Sequence, residues 1–116
     1  MRTYKDKAKW LKLLAHPMRL QILDLVRHSD ECVCHLSAVL DKPQPYVSQQ
    51  LAVLREAGLI ADRKEGTNVF YGLDGGEMAD TLSTVLGALF SDSRAGAAPA
   101  HIKHAGCCCP KCLAES

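Results

Sequence analysis

The sequence predicts a mainly α-helical fold with one small β-hairpin. Apolar residues recur at helical spacing along most of the chain as far as residue 90. Two short strand-like runs, Leu59–Lys64 and Val69–Leu73, interrupt this pattern and are joined through Gly66, which tolerates positive φ. The length of 116 residues fits one domain, and aromatic residues make up only 5% of it. We therefore expect a single core built from Leu, Val, Ile and Ala.

Composition divides the chain into a folded body, residues 1–91, and a cysteine-rich tail, residues 92–116. The start of the tail is rich in Ala, Gly and Ser, which predicts a flexible tether. The N-terminus lacks a long apolar segment, and no run approaches the ~18 apolar residues of a membrane span. We expect a cytoplasmic protein with no membrane partner. Because the formal net charge is only +1, a nucleic-acid surface must come from local arrangement.

The first three helices are marked by apolar stripes and by the residues that bound them. The first helix contains Trp10–Leu14. Pro17 opens the second, where its missing N–H costs nothing because first-turn N–H groups have no helical partner. Residues 28–30 break the second helix, and a third, short helix is expected to begin at Cys32 and Cys34.

The fourth helix is expected over Pro45–Ala57, with Gly58 as its C-terminal cap. Val47, Leu51 and Leu54 lie on one stripe, so the polar residues must point elsewhere. A helix of this length fits the DNA major groove, where Gln can bond adenine while Ser and Tyr reach phosphates or base edges. The candidate readers are Gln44, Tyr46, Ser48, Gln49 and Gln50. The alternative for these residues is an ordinary solvated helix face.

The hairpin and the last helix complete the body. Arg63, Lys64, Thr67 and Asn68 of the hairpin suit contact with phosphate or the neighbouring minor groove, although such residues also serve as plain solubilising groups. The last helix carries a wide apolar stripe, for which a second copy of the chain is the simplest partner. This stripe consists of Met78, Leu82, Val85, Leu86, Leu89 and Phe90.

The order helix, helix, turn, helix, hairpin is that of a winged helix-turn-helix. Three separated blocks, Leu14–Leu23, Pro45–Ile60 and Arg63–Tyr71, resemble the ArsR/SmtB family of metal-responsive repressors in order and spacing. Glu31–Leu36 resembles the metal-binding box of that family. The resemblance implies a homodimer that represses its own operon and leaves DNA when metal binds. A twofold dimer predicts an operator in double-stranded DNA with an inverted repeat.

All six cysteines lie in two clusters. In a reducing cytosol such clusters indicate metal ligands or redox groups rather than structural disulfides. Grouped thiolates suit thiophilic ions, of which arsenic(III) is our first expectation and cadmium, lead, mercury or zinc the alternatives. The candidate ligands are Cys32, Cys34, Cys107, Cys108, Cys109 and Cys112.

The first cluster requires an irregular backbone, because residues two apart on a regular helix lie about 200° apart around its axis. Many arsenic-sensing relatives place a third cysteine where this chain has Ser37. Since arsenic(III) takes three sulfurs, the tail is expected to complete the site. Alternatively, the tail holds an ion of its own, or the cysteines of the first cluster are simply small buried hydrophobes.

Two further alternatives use the same thiols differently. The clusters suit a dithiol redox or persulfide switch on the same repressor fold. Cys109-Pro110-Lys111-Cys112 resembles the dithiol of a thiol oxidoreductase. That chemistry depends on a helix following the first cysteine, and only four residues follow Cys112, so we expect no enzyme.

Overall fold

The computed structural model describes residues 3–76 and 78–90. Its elements are α1 Tyr4–Leu14, α2 Pro17–His28, β1 Glu31–Cys32, α3 Val33–Leu40, α4 Gln44–Glu56, β2 Ile60–Glu65, β3 Asn68–Leu73 and α5 Ala79–Leu89. The predicted mainly helical class with a small sheet is confirmed. The predicted tail and its four cysteines lie outside the described residues, so the division at residue 91 stays a prediction.

Local sequence signals account for the helix boundaries. The Thr3 hydroxyl accepts the Asp6 N–H at 3.0 Å and caps α1. Pro17 occupies the first turn of α2, as expected. Helix α4 begins at Gln44, one residue before the expected start, and Gly58 follows its end with φ +80°. Gly58 therefore supplies the left-handed conformation that commonly ends a helix.

The sheet has three strands rather than the two that the hairpin pattern predicted. Its order is β1-β3-β2, and both pairings are antiparallel. Strand β1 pairs Glu31 with Tyr71 and Cys32 with Phe70. The predicted start of the third helix at Cys32 is also wrong by one residue, because Cys32 is the extended cap and α3 begins at Val33. A two-residue strand is too short to show any periodicity, which is why the pattern missed it.

The core lies where the apolar stripes of the helices meet the start of the hairpin. Helix α4 buries its expected stripe, so that helix is oriented as its periodicity predicted. The buried cluster consists of Trp10, Leu14, Met18, Ile22, Leu23, Val26, Leu36, Val47, Leu51, Leu54, Leu59, Ile60, Leu82 and Leu86. No helix within residues 3–76 and 78–90 has the length and apolar character needed to cross a membrane.

Helix α5 corrects the expectation about its stripe. Leu82 and Leu86 lie in the core of the single chain, where helix α5 packs against α2. They are therefore unavailable as the centre of a seam between two copies. Leu89 is 59% exposed, and Leu11 and Tyr4 on α1 are also exposed. The wide stripe is thus divided between an inner part that the chain covers and an outer part that it leaves in solvent.

Candidate DNA-reading surface and thiol site

Helix α4 carries three of its five predicted base readers on its solvent side. Gln44, Ser48 and Gln49 are exposed, whereas Tyr46 and Gln50 are half-buried. Tyr46 packs against the core, which corrects the expectation that it points away from it. The buried stripe on the opposite side fixes this orientation, so the exposed readers need no further contacts to face outward.

Gln50 is held by another helix. The Arg19 Nε atom of α2 donates to the Gln50 Oε1 atom at 2.9 Å, and the Arg19 Nη1 atom donates to the Leu13 carbonyl at 3.4 Å. One guanidinium thus ties the middle of α4 to the junction of α1 and α2. The amide of Gln50 is partly occupied by this bond, which gives the residue a positioning contact that sequence reasoning missed.

The turn between α3 and α4 is closed by Ser37. Its hydroxyl donates to the Lys42 carbonyl, and the Lys42 N–H donates back to the Ser37 carbonyl at 3.1 Å. Asp41 ends α3 in the left-handed region, with φ 54°. Ser37, which occupies the position of the third cysteine that the family resemblance led us to expect, therefore helps to hold the helix-turn-helix angle.

The wing is the hairpin of residues 60–73. Its turn uses Gly66 at φ +63°, a conformation that suits glycine. Lys64 and Thr67 are exposed and Asn68 is half-buried. The first two side chains are therefore accessible from solvent, and their contact with phosphate stays a prediction.

Arg63 is the wing residue with the most partners. It donates to Asp30 from Nε at 3.4 Å and from Nη2 at 3.3 Å, it donates to Glu65, and its guanidinium lies 5.2 Å from the centre of the Phe70 ring. The hydrogen bond to Glu65, followed by that to Asp30, raises the pKa of Arg63. All three guanidinium nitrogens thus have a carboxylate partner, and the side chain is nevertheless 52% exposed.

The two thiols lie at the junction of β1 and α3. Cys32 is extended, with φ −87° and ψ 161°, whereas Cys34 lies in the first turn of α3. Their Sγ atoms are 3.1 Å apart, close enough for one thiol to donate to the other. Cys32 is buried and Cys34 is half-buried, and they are not joined by a disulfide. The backbone thus departs from a regular helix where joint ligation requires it.

The thiols have apolar neighbours, and a buried polar pair lies next to them in the sequence. Cys32 and Cys34 pack with Phe70 and Ala38. The Glu31 carboxylate and the His35 ring are both buried, and their Oε1 and Nε2 atoms are 3.9 Å apart. Sequence reasoning did not single out this polar pair, although its i, i+4 spacing around the cysteines was visible.

The thiol pair supplies two sulfur ligands. Among residues 3–76 and 78–90, no group of three His, Cys, Asp or Glu side chains is placed to hold a metal ion. A third ligand must therefore come from a rearrangement, from a bound molecule or from outside these residues. The predicted ligands Cys107, Cys108, Cys109 and Cys112 lie outside the described part of the chain.

The sequence and the fold match known regulators. Residues 16–62 match the family described as "Bacterial regulatory protein, arsR family". An uncharacterized HTH-type transcriptional regulator of Mycobacterium tuberculosis (strain CDC 1551 / Oshkosh) is 39% identical over 93 residues, which cover 77% of this chain and 82% of that protein. The chain belongs to the ArsR family. This confirms the resemblance that the three sequence blocks indicated.

Two further similarities refine the comparison of this ArsR-family protein. The arsenical resistance operon repressor of Escherichia coli K12 is 49% identical over 63 residues, or 53% of this chain and 54% of that one. The homodimeric winged helix-turn-helix DNA-binding domain of a Mycobacterium bovis protein has a TM-score of 0.63 at 27% identity, covering 86% of this chain and 88% of that one. The chain is therefore a DNA-binding transcriptional regulator of winged helix-turn-helix fold, and not an enzyme.

Proposed function

We propose that this ArsR-family protein is a cytoplasmic, homodimeric repressor that releases operator DNA when arsenic(III) binds Cys32 and Cys34. The observation that carries the proposal is the 3.1 Å separation of the two Sγ atoms, at the start of the helix that precedes α4. A ligand bound there is one short helix and one turn away from the candidate base readers.

DNA recognition is assigned to α4 and the wing. The exposed face of α4 enters the major groove, and the wing contacts phosphate or the adjacent minor groove. The base-reading set is Gln44, Tyr46, Ser48, Gln49 and Gln50, and the wing set is Arg63, Lys64, Thr67 and Asn68. Two copies related by a twofold axis would read an inverted repeat in double-stranded DNA.

The outer apolar residues of α1 and α5 support a homodimer. Leu11 and Leu89 are large apolar side chains that the single chain leaves exposed. Burial of such residues against a second copy removes apolar surface from water, which favours association. The M. bovis structure is described as homodimeric, and the match with this chain covers 88% of it. This similarity supports the same assembly here.

The chemistry of the pair suits a thiophilic ion. A tetrahedral ion with sulfurs at about 2.3 Å holds them about 3.8 Å apart, so the two Sγ atoms need only part slightly. Arsenic(III) would take a third sulfur, which we assign to one of Cys107, Cys108, Cys109 or Cys112. The name of the E. coli relative supports arsenic(III). Cadmium, lead, mercury or zinc are the alternative inducers.

The test is a titration of the protein on DNA from upstream of its own gene. Arsenite should release the wild-type protein, whereas Cys32→Ser and Cys34→Ser should bind DNA and fail to respond. Val33→Ala is the matched control, because it changes the residue between the thiols and keeps both sulfurs. Normal release of both serine variants by arsenite would refute the assignment. The same titration with cadmium, lead, mercury and zinc ranks the inducers.

The tail assignment needs a separate measurement. A chain ending at Gly106 should bind arsenite more weakly and show one fewer As–S contact by X-ray absorption than the full chain. An unchanged three-sulfur site in the shortened chain would contradict the role of the tail. If the shortened chain loses all response to arsenite while Cys32→Ser and Cys34→Ser respond normally, the sensor would lie in the tail alone.

A second candidate function follows from the same sulfur contact. Two reduced cysteines whose Sγ atoms are 3.1 Å apart can be oxidised to a disulfide, which needs an S–S distance of about 2.05 Å, or joined through added sulfur. The regulator would then sense oxidants or persulfides. Release of DNA by diamide or a persulfide donor, with no response to arsenite, would favour this function over the first.

A further inference from the structure

One row of the sheet connects the thiols to the wing. Cys32 on β1 pairs with Phe70 on β3, and Phe70 pairs with Arg63 on β2. Residues directly opposite each other in antiparallel strands project from the same face of the sheet. Phe70 is buried, packs against Cys32 and Cys34, and carries the Arg63 guanidinium 5.2 Å from its ring centre. A single ring thus contacts both the thiol pair and the wing arginine.

A second connection runs parallel to this row. Asp30 directly precedes β1 and lies against Gly72 of β3 so closely that an added Cβ would fall 2.0 Å from its Oδ1 atom. The Oδ2 atom of the same carboxylate accepts the two hydrogen bonds that Arg63 donates from Nε and Nη2. Glycine at position 72 therefore provides the space in which the carboxylate meets the wing.

We propose that the ring of Phe70 and the Asp30–Arg63 pair carry the response of the thiol pair to the wing, with Arg63 as a positioning residue. The inference rests on the proposed function and adds how the thiol site reaches DNA through the sheet, besides the route through α3. Asp30 and Glu65 accept hydrogen bonds from all three nitrogens of the guanidinium, and the side chain, which is 52% exposed, can approach phosphate from solvent.

The physical basis is close packing. A ligand that parts the two Sγ atoms must displace side chains around Cys32, and Phe70 is the large buried neighbour in that apolar cluster. Displacement in a closely packed interior is passed on rather than absorbed. Movement of the Phe70 ring, or of the segment that carries Asp30, changes the position of the Arg63 guanidinium. The position of the wing then changes with it. Coupling of this kind requires that the ligand favour one arrangement over the other.

The test compares two link variants with a control on the other face of the sheet. Asp30→Asn keeps the side-chain size beside Gly72 and removes the charge, and Phe70→Leu keeps an apolar residue and removes the ring. The control is Asp62→Asn, because Asp62 also pairs with an arginine, Arg55, at 3.1 Å but projects from the face opposite Phe70. Folding of each variant is checked by thermal melting.

The main readout is the release factor, which is the factor by which saturating arsenite lowers the affinity for DNA. The affinity of each variant for arsenite is measured as well. The link variants should bind arsenite like wild type, and their release factor should fall by about fivefold or more. Asp62→Asn should keep the wild-type factor. A wild-type factor in both link variants would overturn the link and leave the proposed sensor intact.

A second readout separates failure of the link from failure of the sensor. The Arg63 Nε–Hε resonance, assigned with Arg63→Lys, should shift when arsenite or diamide reacts with the free wild-type protein. If the thiols react but the protein stays bound to DNA, the proposed sensor function fails. The Arg63 resonance alone then shows whether the thiols are coupled to the wing. The proposed link would be overturned if the Cys34 amide resonance shifts and the Arg63 resonance does not. It would also be overturned if the thiols react with neither arsenite nor diamide.

Discussion

The reading helix α4 and the thiol segment, residues 31–34, place their working groups in opposite ways. Helix α4 buries Val47, Leu51 and Leu54 and leaves Gln49 in solvent. The thiol segment has no such regular pattern, and Cys32 itself is buried with 3% exposure. Gln49, which is assigned to DNA, therefore contributes little to the core, whereas Cys32, which is assigned to the ligand, is buried.

This difference has a consequence for mutation. Substitution of an exposed reader should change DNA binding and leave stability alone, because surface changes usually have small effects on folding. Substitution in the thiol segment should change stability as well as response. Sensing through buried groups is also what allows a ligand to alter packing, since an exposed site would transmit little to its neighbours.

The largest expected effect extends this contrast to α5. Leu86→Asp puts a charge at a fully buried position and should lower the free energy of unfolding by about 4 kcal/mol or more, enough to unfold the chain. Leu89→Asp changes an exposed position and should keep the fold while weakening self-association. Urea denaturation and sedimentation distinguish the two. A folded Leu86→Asp monomer would show that the helix is oriented differently.

The next effect concerns base reading. Gln49→Ala should reduce discrimination between the operator and altered sequences by about 1–3 kcal/mol and leave the melting temperature unchanged. Lys64→Ala is the control on the wing. It should lower the affinity for all DNA sequences alike and reduce the slope of log affinity against log salt concentration by about one unit. Competition binding at several salt concentrations measures both. Equal losses on operator and random DNA for Gln49→Ala would contradict its role as a reader.

The thiol segment should respond in the other way. Cys32→Ser buries a hydroxyl beside Phe70 and the weakly hydrogen-bonding thiol of Cys34, and it should cost about 1–3 kcal/mol of stability. Cys34→Ser, at a half-buried position, should cost less. Urea denaturation of the reduced proteins compares them. Equal stability of the two variants would mean that Cys32 is less enclosed than the structure shows.

The sequence predicted regular elements better than short or irregular ones. Periodicity oriented α4 correctly, because three apolar residues at helical spacing determine which side is buried. It could not show β1, whose two residues make no pattern, nor could it divide the α5 stripe between core and surface. The partners of Arg63 were also hidden, since Asp30 is 33 residues away along the chain and meets it only through strand pairing.

The smallest expected effect lies in the turn that joins the two regions. Ser37→Ala removes the hydroxyl that donates to the Lys42 carbonyl and should cost about 0.5–1.5 kcal/mol, because a typical hydrogen bond contributes that much. Ser48→Ala makes the same chemical change on the exposed face of α4 and should leave stability unchanged. Urea midpoints at constant slope give both values. Should the two variants be equally stable, the Ser37 hydroxyl does not hold the turn, and the packing of α3 against α4 would be what joins the thiol segment to the reading helix.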